Sequence, residues 1–422
     1  MKPWLSVIGI GEDGLAGLSP AARALLQAAE LVVGGERHLA MLPPQGGAEI
    51  AQERLSWASP LSELVSRLTE YRGRDVTVLA TGDPMHFGIG ATLARAFAAE
   101  EMTVHPHLSA FSLAAARLAW PLDEVETVTL HGRPLARLAL RLYPGGRLLI
   151  LSHDAATPAA VAALLCERGF GESRMVALSH MGGQKEARLE ASAESWAGES
   201  CAGESRAGEV ADFHTLAVAC IAGPEADWLP RAAGLPDEAF QHDGKMTKRE
   251  ARALAIAKLA PYPGALLWDI GAGAGSVAIE FLRAAPQAKA IALEPRPERR
   301  AMAARNAEAL GVPELDIRHG EAPGALAGLP APDAVFVGGG VTAATLEAAS
   351  AALKAGGRLV AHAVTLESEE VLLAAAAAHG GELTRLAVSR AEKVGPYRGW
   401  RPAMPVTQWA WRKGSGRKGQ GG

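Results

Sequence analysis

Short apolar runs of β type alternate with Ala-, Leu- and Arg-rich stretches of helical period from one end of the chain to the other. That alternation is the pattern of a parallel α/β architecture. In the first half the predicted strands are WLSVIGI, LVVGG, DVTVLATG, MTVHPH, ETVTLHG, RLLILSH, SRMVALSH and TLAVACIAG. Helical patterns fall between them at 19–30, 89–100 and 157–169, with Ser19 placed to cap the first and Pro20 at its first helical position. The second half reads as strand ALLWDI, helix SVAIEFLRAA, strand AKAIALEP, helix RPERRAMAARNAEAL, strands ELDIRHG and DAVFVGGG, helix TAATLEAASAALKAG, strand RLVAHAV and helix SEEVLLAAAAAHG. Two further β-type stretches, ELTRLAVSR and PVTQWAWRK, close it.

Two segments interrupt the alternation. Residues 191–210 contain the near-repeat AGESCAGESRAGE and are small, polar and Gly-rich, which predicts a flexible surface loop. Residues 224–244 are rich in Pro and Gly without periodicity and predict the domain boundary, because strand TLAVACIAG just before them would otherwise be stranded alone. The expected organisation is a first domain at 1–223, a linker at 224–244, a second domain at 245–413 and a disordered tail at 414–422.

Composition narrows the class. At 422 residues, 49% hydrophobic and 21% charged, the chain is globular and too long for one ordinary core. A net charge of −4 provides no general basic surface, which argues against nucleic acid as the partner. Cys166, Cys201 and Cys220 are scattered without a CxxC pair, which suits a reducing cytosol and so a cytoplasmic protein. The apolar start of MKPWLSVIGIGEDG is stopped by Gly and acids too soon for a signal peptide or a membrane span.

The strongest chemical signal is Asp269-Ile270-Gly271-Ala272-Gly273-Ala274-Gly275-Ser276, directly after a predicted strand and directly before a predicted helix. Glycines there permit a tight turn and a close ligand approach, and the helix start offers free N–H groups. Glu294 ends the next strand, near the offset expected of an acid that holds ribose hydroxyls. Both a dinucleotide and S-adenosylmethionine (SAM) fit these features. GxGxG with an acid two residues ahead resembles the Rossmann-like class I SAM-dependent methyltransferase loop, whereas dinucleotide enzymes usually carry GxGxxG. That resemblance implies Asp269 beneath the loop and the methionine end of SAM, Glu294 on the ribose, and Glu321 and Ala322 beside the adenine. At the N-terminus, Gly9-Ile10-Gly11-Glu12-Asp13-Gly14 matches GxGxxG literally, but the helix starts only near Ser19 and LVVGG ends without an acid. Dinucleotide binding is not expected there.

VIGIGEDG (7–14), LATGDPMHFGIG (79–90) and HLSAFSLAAARLAW (107–120) resemble the tetrapyrrole methylases. HDGKMTKREARALAIAKL (242–259), LLWDIGAGAGSVAIEFLR (266–283) and EKVGPYRGWRPAMPVTQW (392–409) resemble the decarboxylating precorrin-6B methyltransferases. Their fusion in this order resembles a bifunctional family of cobalamin biosynthesis. The resemblance implies an N-terminal tetrapyrrole methylase fold acting at C-5 of a precorrin. It also implies a Rossmann-like C-terminal domain acting at C-15 and removing CO₂ from the C-12 acetate. SAM would bind once per domain, without a metal, and the protein would be a homo-oligomer. Carried over by position, Thr247, Gly271–Gly275, Glu294 and Ala322 would contact SAM in the second domain. Gly11, Thr81, Gly82, Asp83, Gly88, Ser109 and Ala110 would do so in the first. Many tetrapyrrole methylases have Pro-Gly before the serine turn; this chain has His107-Leu108.

Methyl transfer to an enamine-like ring carbon needs alignment above all, so no nucleophile is expected. His153-Asp154 and His242-Asp243 are isolated pairs that read as turn or capping residues. A substrate with many carboxylates does require cations. The candidates are Lys245, Lys248 and Arg249, then Lys393, Arg398 and Arg401, the last group interleaved with Tyr397 and Trp400. A solvated charged face and a packed β-connection remain alternative readings of these stretches. Asp83 can also be read as a turn former, and Gly338-Gly339-Gly340 as room for a bulky ring or as a plain turn. Three alternatives of function stay open: the same chemistry on a cobalt-bearing intermediate, a methyltransferase for RNA or another small molecule, and a non-catalytic N-terminal substrate-binding module.

Overall fold

A computed structural model describes residues 3–44, 52–57, 61–201 and 210–414. The chain forms two compact units, Met1–Leu135 with Tyr143–Asp227, and Ala136–Leu142 with Trp228–Gly422.

The first unit begins with β1 (Leu5–Ile10), α1 (Pro20–Ala28), β2 (Leu31–Gly34), α2 (Glu36–Ala40), β3 (Glu53–Ser56), α3 (Leu61–Thr69), β4 (Val76–Thr81), α4 (Ile89–Leu93) and β5 (Met102–His105). The strands make a parallel sheet in the order β3-β2-β4-β1-β5. Every residue of β1 is buried, because helices cover both faces of a parallel sheet. Leu5, Val7, Val33 and Val78 pack on one side, and Ile8, Ile10, Val32 and Leu79 on the other. Ser19 caps α1 by accepting the N–H of Ala22 at 3.2 Å, with Pro20 at the first helical position. The helix expected over 89–100 stops at Leu93, where tight turns drop Phe97 into the core, edge-on to Trp4 at 5.5 Å.

A second sheet follows: α5 (Ala110–Leu118), β6 (Glu126–Thr129), β7 (Arg147–Leu151), α6 (Thr157–Glu167), β8 (Arg174–Ser179), β9 (Ala187–Ser192), α7 (Ala193–Cys201) and β10 (His214–Ala219). Its order is β6-β7-β10-β8-β9, and only β6 and β7 run parallel. The all-parallel expectation therefore fails here, since β10 inserts between β7 and β8 in the opposite sense.

The flexible loop expected at 191–210 is also corrected over its first part. Residues 191 and 192 end β9, and 193–201 form α7. The N–H of Ala193 donates to the Ser173 carbonyl at 2.9 Å, and Trp196 is buried. The buried Ala193 and Trp196 anchor a helix whose sequence is otherwise small and polar and does not betray it. The rest of that stretch, 202–209, and the tail beyond Gly414 lie outside the described residues.

The second unit carries α8 (Arg249–Leu259), β11 (Leu266–Ile270), α9 (Ser276–Ala284), β12 (Lys289–Leu293), α10 (Pro297–Ala309), β13 (Asp316–Arg318), β14 (Ala334–Val337), α11 (Ala343–Ala352), β15 (Arg358–Ala363), α12 (Leu366–His379), β16 (Glu382–Leu386), β17 (Ser389–Val394), β18 (Tyr397–Pro402) and β19 (Val406–Arg412). Its main sheet has the order β13-β12-β11-β14-β15-β19-β16, with the first five strands parallel. The crossovers change side between β11 and β14, and ligands of open α/β sheets bind outside the carboxyl ends at such a switch point.

Residues 228–244, expected as linker, fold with this unit. The N–H groups of Gly234 and Leu235 donate to the Glu280 carboxylate at 2.7 and 2.9 Å, and Leu235 and Phe240 are buried. The boundary thus falls at Asp227–Trp228. Glu280 also holds the fully buried Arg252 at 2.6 Å, and Arg252 donates to the carbonyls of Leu235 and Thr247. The segment Ala136–Leu142, expected within the first domain, likewise belongs to the second unit, with Arg137 paired to Glu314 at 3.0 Å.

Candidate functional site

In the second unit the loop between β11 and α9 holds Gly271, Gly273 and Gly275 at φ of 70°, 57° and 77°. That left-handed region is where glycine is at home. A Cβ on Gly271 would lie 2.8 Å from the backbone of Gly339, so the ends of β11 and β14 meet main chain to main chain. The Glu294 carboxylate accepts the N–H of Gly273 at 2.9 Å and that of Arg296 at 3.0 Å. Each oxygen keeps a second lone pair for a ligand hydroxyl. Beneath the loop, buried Asp269 accepts the Ala278 N–H at 3.0 Å through Oδ2, while Oδ1 has no partner among the described residues. Burial first, and the Glu294 charge as well, push its carboxyl up to about 7.

The backbone of Lys245 passes over this loop, its carbonyl 3.7 Å from where a Gly273 Cβ would stand. Thr247 follows, and Lys248 is the residue before α8, its ammonium 3.9 Å from Asp237. Arg249 is exposed, as is Glu321, while Ala322 is partly buried against the core beside β14. Ala272 is half-buried and Ala274 buried. Asn306 fastens the loop from behind, donating to the carbonyls of Gln241 and Ala274 at 2.9 Å.

Lys393, Tyr397, Arg398, Trp400 and Arg401 do not form one surface. They lie on the β17–β18 hairpin, whose register sets Lys393 opposite Arg398 and Ala391 opposite Trp400. Strand alternation puts Lys393, Arg398 and Trp400 on one face and Tyr397 and Arg401 on the other. The second face also carries Glu392, paired with Arg401 at 3.0 Å, and Arg390, which reaches Glu250 at 2.7 Å. Tyr397 and Trp400 are 78% and 77% exposed, so the hairpin is not a packed connection.

In the first unit, β1, β4 and β5 deliver three loops to one place. A Cβ on Gly9 would lie 2.0 Å from the Gly82 carbonyl and 2.6 Å from the His107 nitrogen. Gly82, at φ 58°, packs against the backbone of Leu108 and Ser109. Asp83 accepts the Met85 N–H at 2.8 Å, forming a turn that Gly88 closes against the Pro84 carbonyl. Ser109 caps α5, which begins at Ala110, by accepting the Ser112 N–H at 3.0 Å. A cavity of about 410 Å³ lies here, lined by Asp83, His107 and Ser109 among others. Gly11, Thr81, Gly82, Gly88 and Ala110 are not among the residues that line it.

Thr81 belongs to a polar chain that sequence reasoning missed. Its hydroxyl accepts from Arg37 at 2.8 Å and meets Nε2 of His38 at 2.9 Å. His38 is buried; burial and the neighbouring Arg37 charge lower its pKa to about 4. It is therefore neutral, and because its Nδ1 accepts the Gly35 N–H at 3.2 Å, Nε2 is the donor to Thr81. Arg37 also pairs with Glu12 and stacks over the Phe213 ring at 4.0 Å, and Glu12 binds His180 Nδ1 at 2.9 Å. The acid in the glycine turn GIGEDG was the available signal.

Two glycine-built cradles at the carboxyl ends of parallel strands, one with an orphaned buried carboxylate oxygen, suit SAM, and the chain is an enzyme of the SAM-dependent methyltransferase class. The family described as tetrapyrrole (corrin/porphyrin) methylases matches residues 5–197, and that described as precorrin methyltransferase domain matches 238–413. A precorrin-6Y C(5,15)-methyltransferase [decarboxylating] of Sinorhizobium sp is 47% identical over 98% of this chain and 97% of its own length. One from Mycobacterium tuberculosis is 40% identical over 96% and 98%. The solved C-terminal domain of precorrin-6Y C5,15-methyltransferase from Rhodobacter capsulatus is 44% identical, covering 44% of this chain and all of that one, with a TM-score of 0.42. The chain belongs to the precorrin-6Y C(5,15)-methyltransferase (decarboxylating) family.

Proposed function

We propose that the protein methylates precorrin-6B at C-5 and C-15 and decarboxylates its C-12 acetate, giving precorrin-8X in cobalamin biosynthesis. The second unit carries the C-15 methylation and the CO₂ loss, and the first unit carries the C-5 methylation. The observation behind this reading is the pair of glycine cradles, each within a separate family match.

SAM supplies an electrophilic methyl group on a sulfonium to each site. In the second unit Glu294 accepts the ribose hydroxyls, and Asp269 takes a donor on its Oδ1. Thr247, Glu321 and Ala322 complete the wall. In the first unit Gly11, Thr81, Gly82, Asp83, Gly88, Ser109 and Ala110 hold the second SAM. The hairpin face of Lys393, Arg398 and Trp400 meets the substrate, since it holds two cations and an indole with no carboxylate among them. Lys245, Lys248 and Arg249 receive further carboxylates, and the glycines at 338–340 leave room for the macrocycle.

Mass spectrometry of the product from purified protein, SAM and precorrin-6B tests this reading. Two added methyls with one CO₂ lost support it. One methyl with CO₂ loss removes the first unit from catalysis, and no change points to a cobalt-bearing or unrelated substrate.

A further inference from the structure

Replacing a ring hydrogen by a methyl group releases a proton, and the first unit must place it somewhere. His180 follows β8 and has φ of 48°, in the left-handed region that histidine enters more readily than most non-glycine residues. Its Nδ1 lies 2.9 Å from the Glu12 carboxylate, in the glycine turn after β1. Nε2 has no hydrogen-bond partner among the described residues, and the side chain is 24% exposed. Glu12 is in turn held by Arg37, which donates to Thr81 beside Gly82 and Asp83. The groups facing His180 are thus Glu12 on one edge and Phe213 at 5.8 Å, with Arg37 beyond Glu12.

We propose that His180 is the proton acceptor of methyl transfer in the first unit, oriented by Glu12. The inference rests on the reading that this unit methylates C-5. Glu12 accepts the Nδ1 proton and leaves Nε2 as the basic nitrogen. As the ring carbon takes the methyl, the C–S bond breaks and its electron pair stays on sulfur, which becomes a neutral thioether. The C–H bond then yields its proton to Nε2 and its electron pair to the ring. Glu12, itself paired with Arg37, stabilises the resulting imidazolium.

The test uses the full-length protein with precorrin-6B and SAM. His180→Asn keeps the left-handed backbone, which Asn tolerates, and His180→Gly leaves a hole that imidazole can fill. Both should lower kcat for C-5 methylation about 100-fold or more, the usual worth of a general base. SAM affinity by calorimetry, KM and C-15 methylation should stay unchanged, and added imidazole should restore His180→Gly in part. Without any substrate, ¹⁵N-histidine NMR should show His180 protonated at Nδ1 in the parent, with that preference lost in Glu12→Gln. C-5 methylation by either variant within threefold of the parent overturns the proposal, as does a folded His180→Gly that imidazole leaves unchanged. A parent protein that adds only one methyl refutes the underlying reading instead, so the two failures are told apart.

Discussion

Glu294, just after β12, accepts the backbone N–H of Gly273 at 2.9 Å, so the acid proposed to hold the ribose also sets the shape of the glycine loop. Removing it costs both roles. Glu294→Ala should weaken SAM binding to the second unit about 10- to 100-fold, the range for a hydrogen bond to a charged group. Calorimetry should then show one tight SAM site where the parent shows two, with CO₂ release falling in parallel.

Gly271→Ala should be more severe than its one methyl suggests. The new Cβ would stand 2.8 Å from the Gly339 backbone at φ 70°, and main chain cannot swing away as a side chain could. Loss of C-15 methylation and decarboxylation is expected, with C-5 methylation of a separately supplied C-15-methylated substrate intact.

Arg252 and Glu280 form a buried ion pair that also fastens residues 234 and 235. Arg252→Met leaves the Glu280 charge without its cation and should destabilise the second unit by about 3–5 kcal/mol. Differential scanning calorimetry should show the transition of that unit moving down and the other staying in place.

Asp269 gives a pH signature of definite sign. Its folded pKa is raised, from 3.8 to about 7, so the native state holds a proton that the unfolded state gives up. Its stabilising contribution is complete below 3.8 and is lost progressively as pH climbs to about 7. Denaturant titrations of Asp269→Asn and the parent should therefore converge toward the acid end of this window and diverge toward its upper end, the variant being the less sensitive to pH.

The two faces of the hairpin should separate in kinetics. Arg398→Ala and Trp400→Ala should each raise KM for the tetrapyrrole about tenfold, consistent with the loss of a charge-assisted contact or a cation–π partner. Arg401→Ala should change KM little, because Arg401 already answers Glu392. All three are exposed, so thermal stability should hold to within about 0.5 kcal/mol.

Most strands and most helices were legible because buried parallel strands write continuous apolar runs, as in Leu5–Ile10. The glycine loop was legible for the same reason that it works: strand, glycines and helix start are contiguous in the chain. What escaped depends on pairing at a distance. The antiparallel placement of β10 is decided by its neighbours, not by its own residues. Residues 228–244 looked like linker because their hydrogen-bond partners, Glu280 and Asn306, stand dozens of residues away. Glu12 and His180 come from different sheets, 168 positions apart, and no local pattern joins them. The hairpin residues were found by type, but their division into two faces follows from a register that only the paired strands reveal.

The contact of Gly271 with Gly339 makes the floor of the second site a surface of main chain. At Gly271 that floor offers nothing for substitution to reshape by degrees, since the smallest possible change there already collides with the Gly339 backbone. Divergence toward another substrate, natural or engineered, would have to be carved from the walls and the hairpin, where side chains can be traded one at a time.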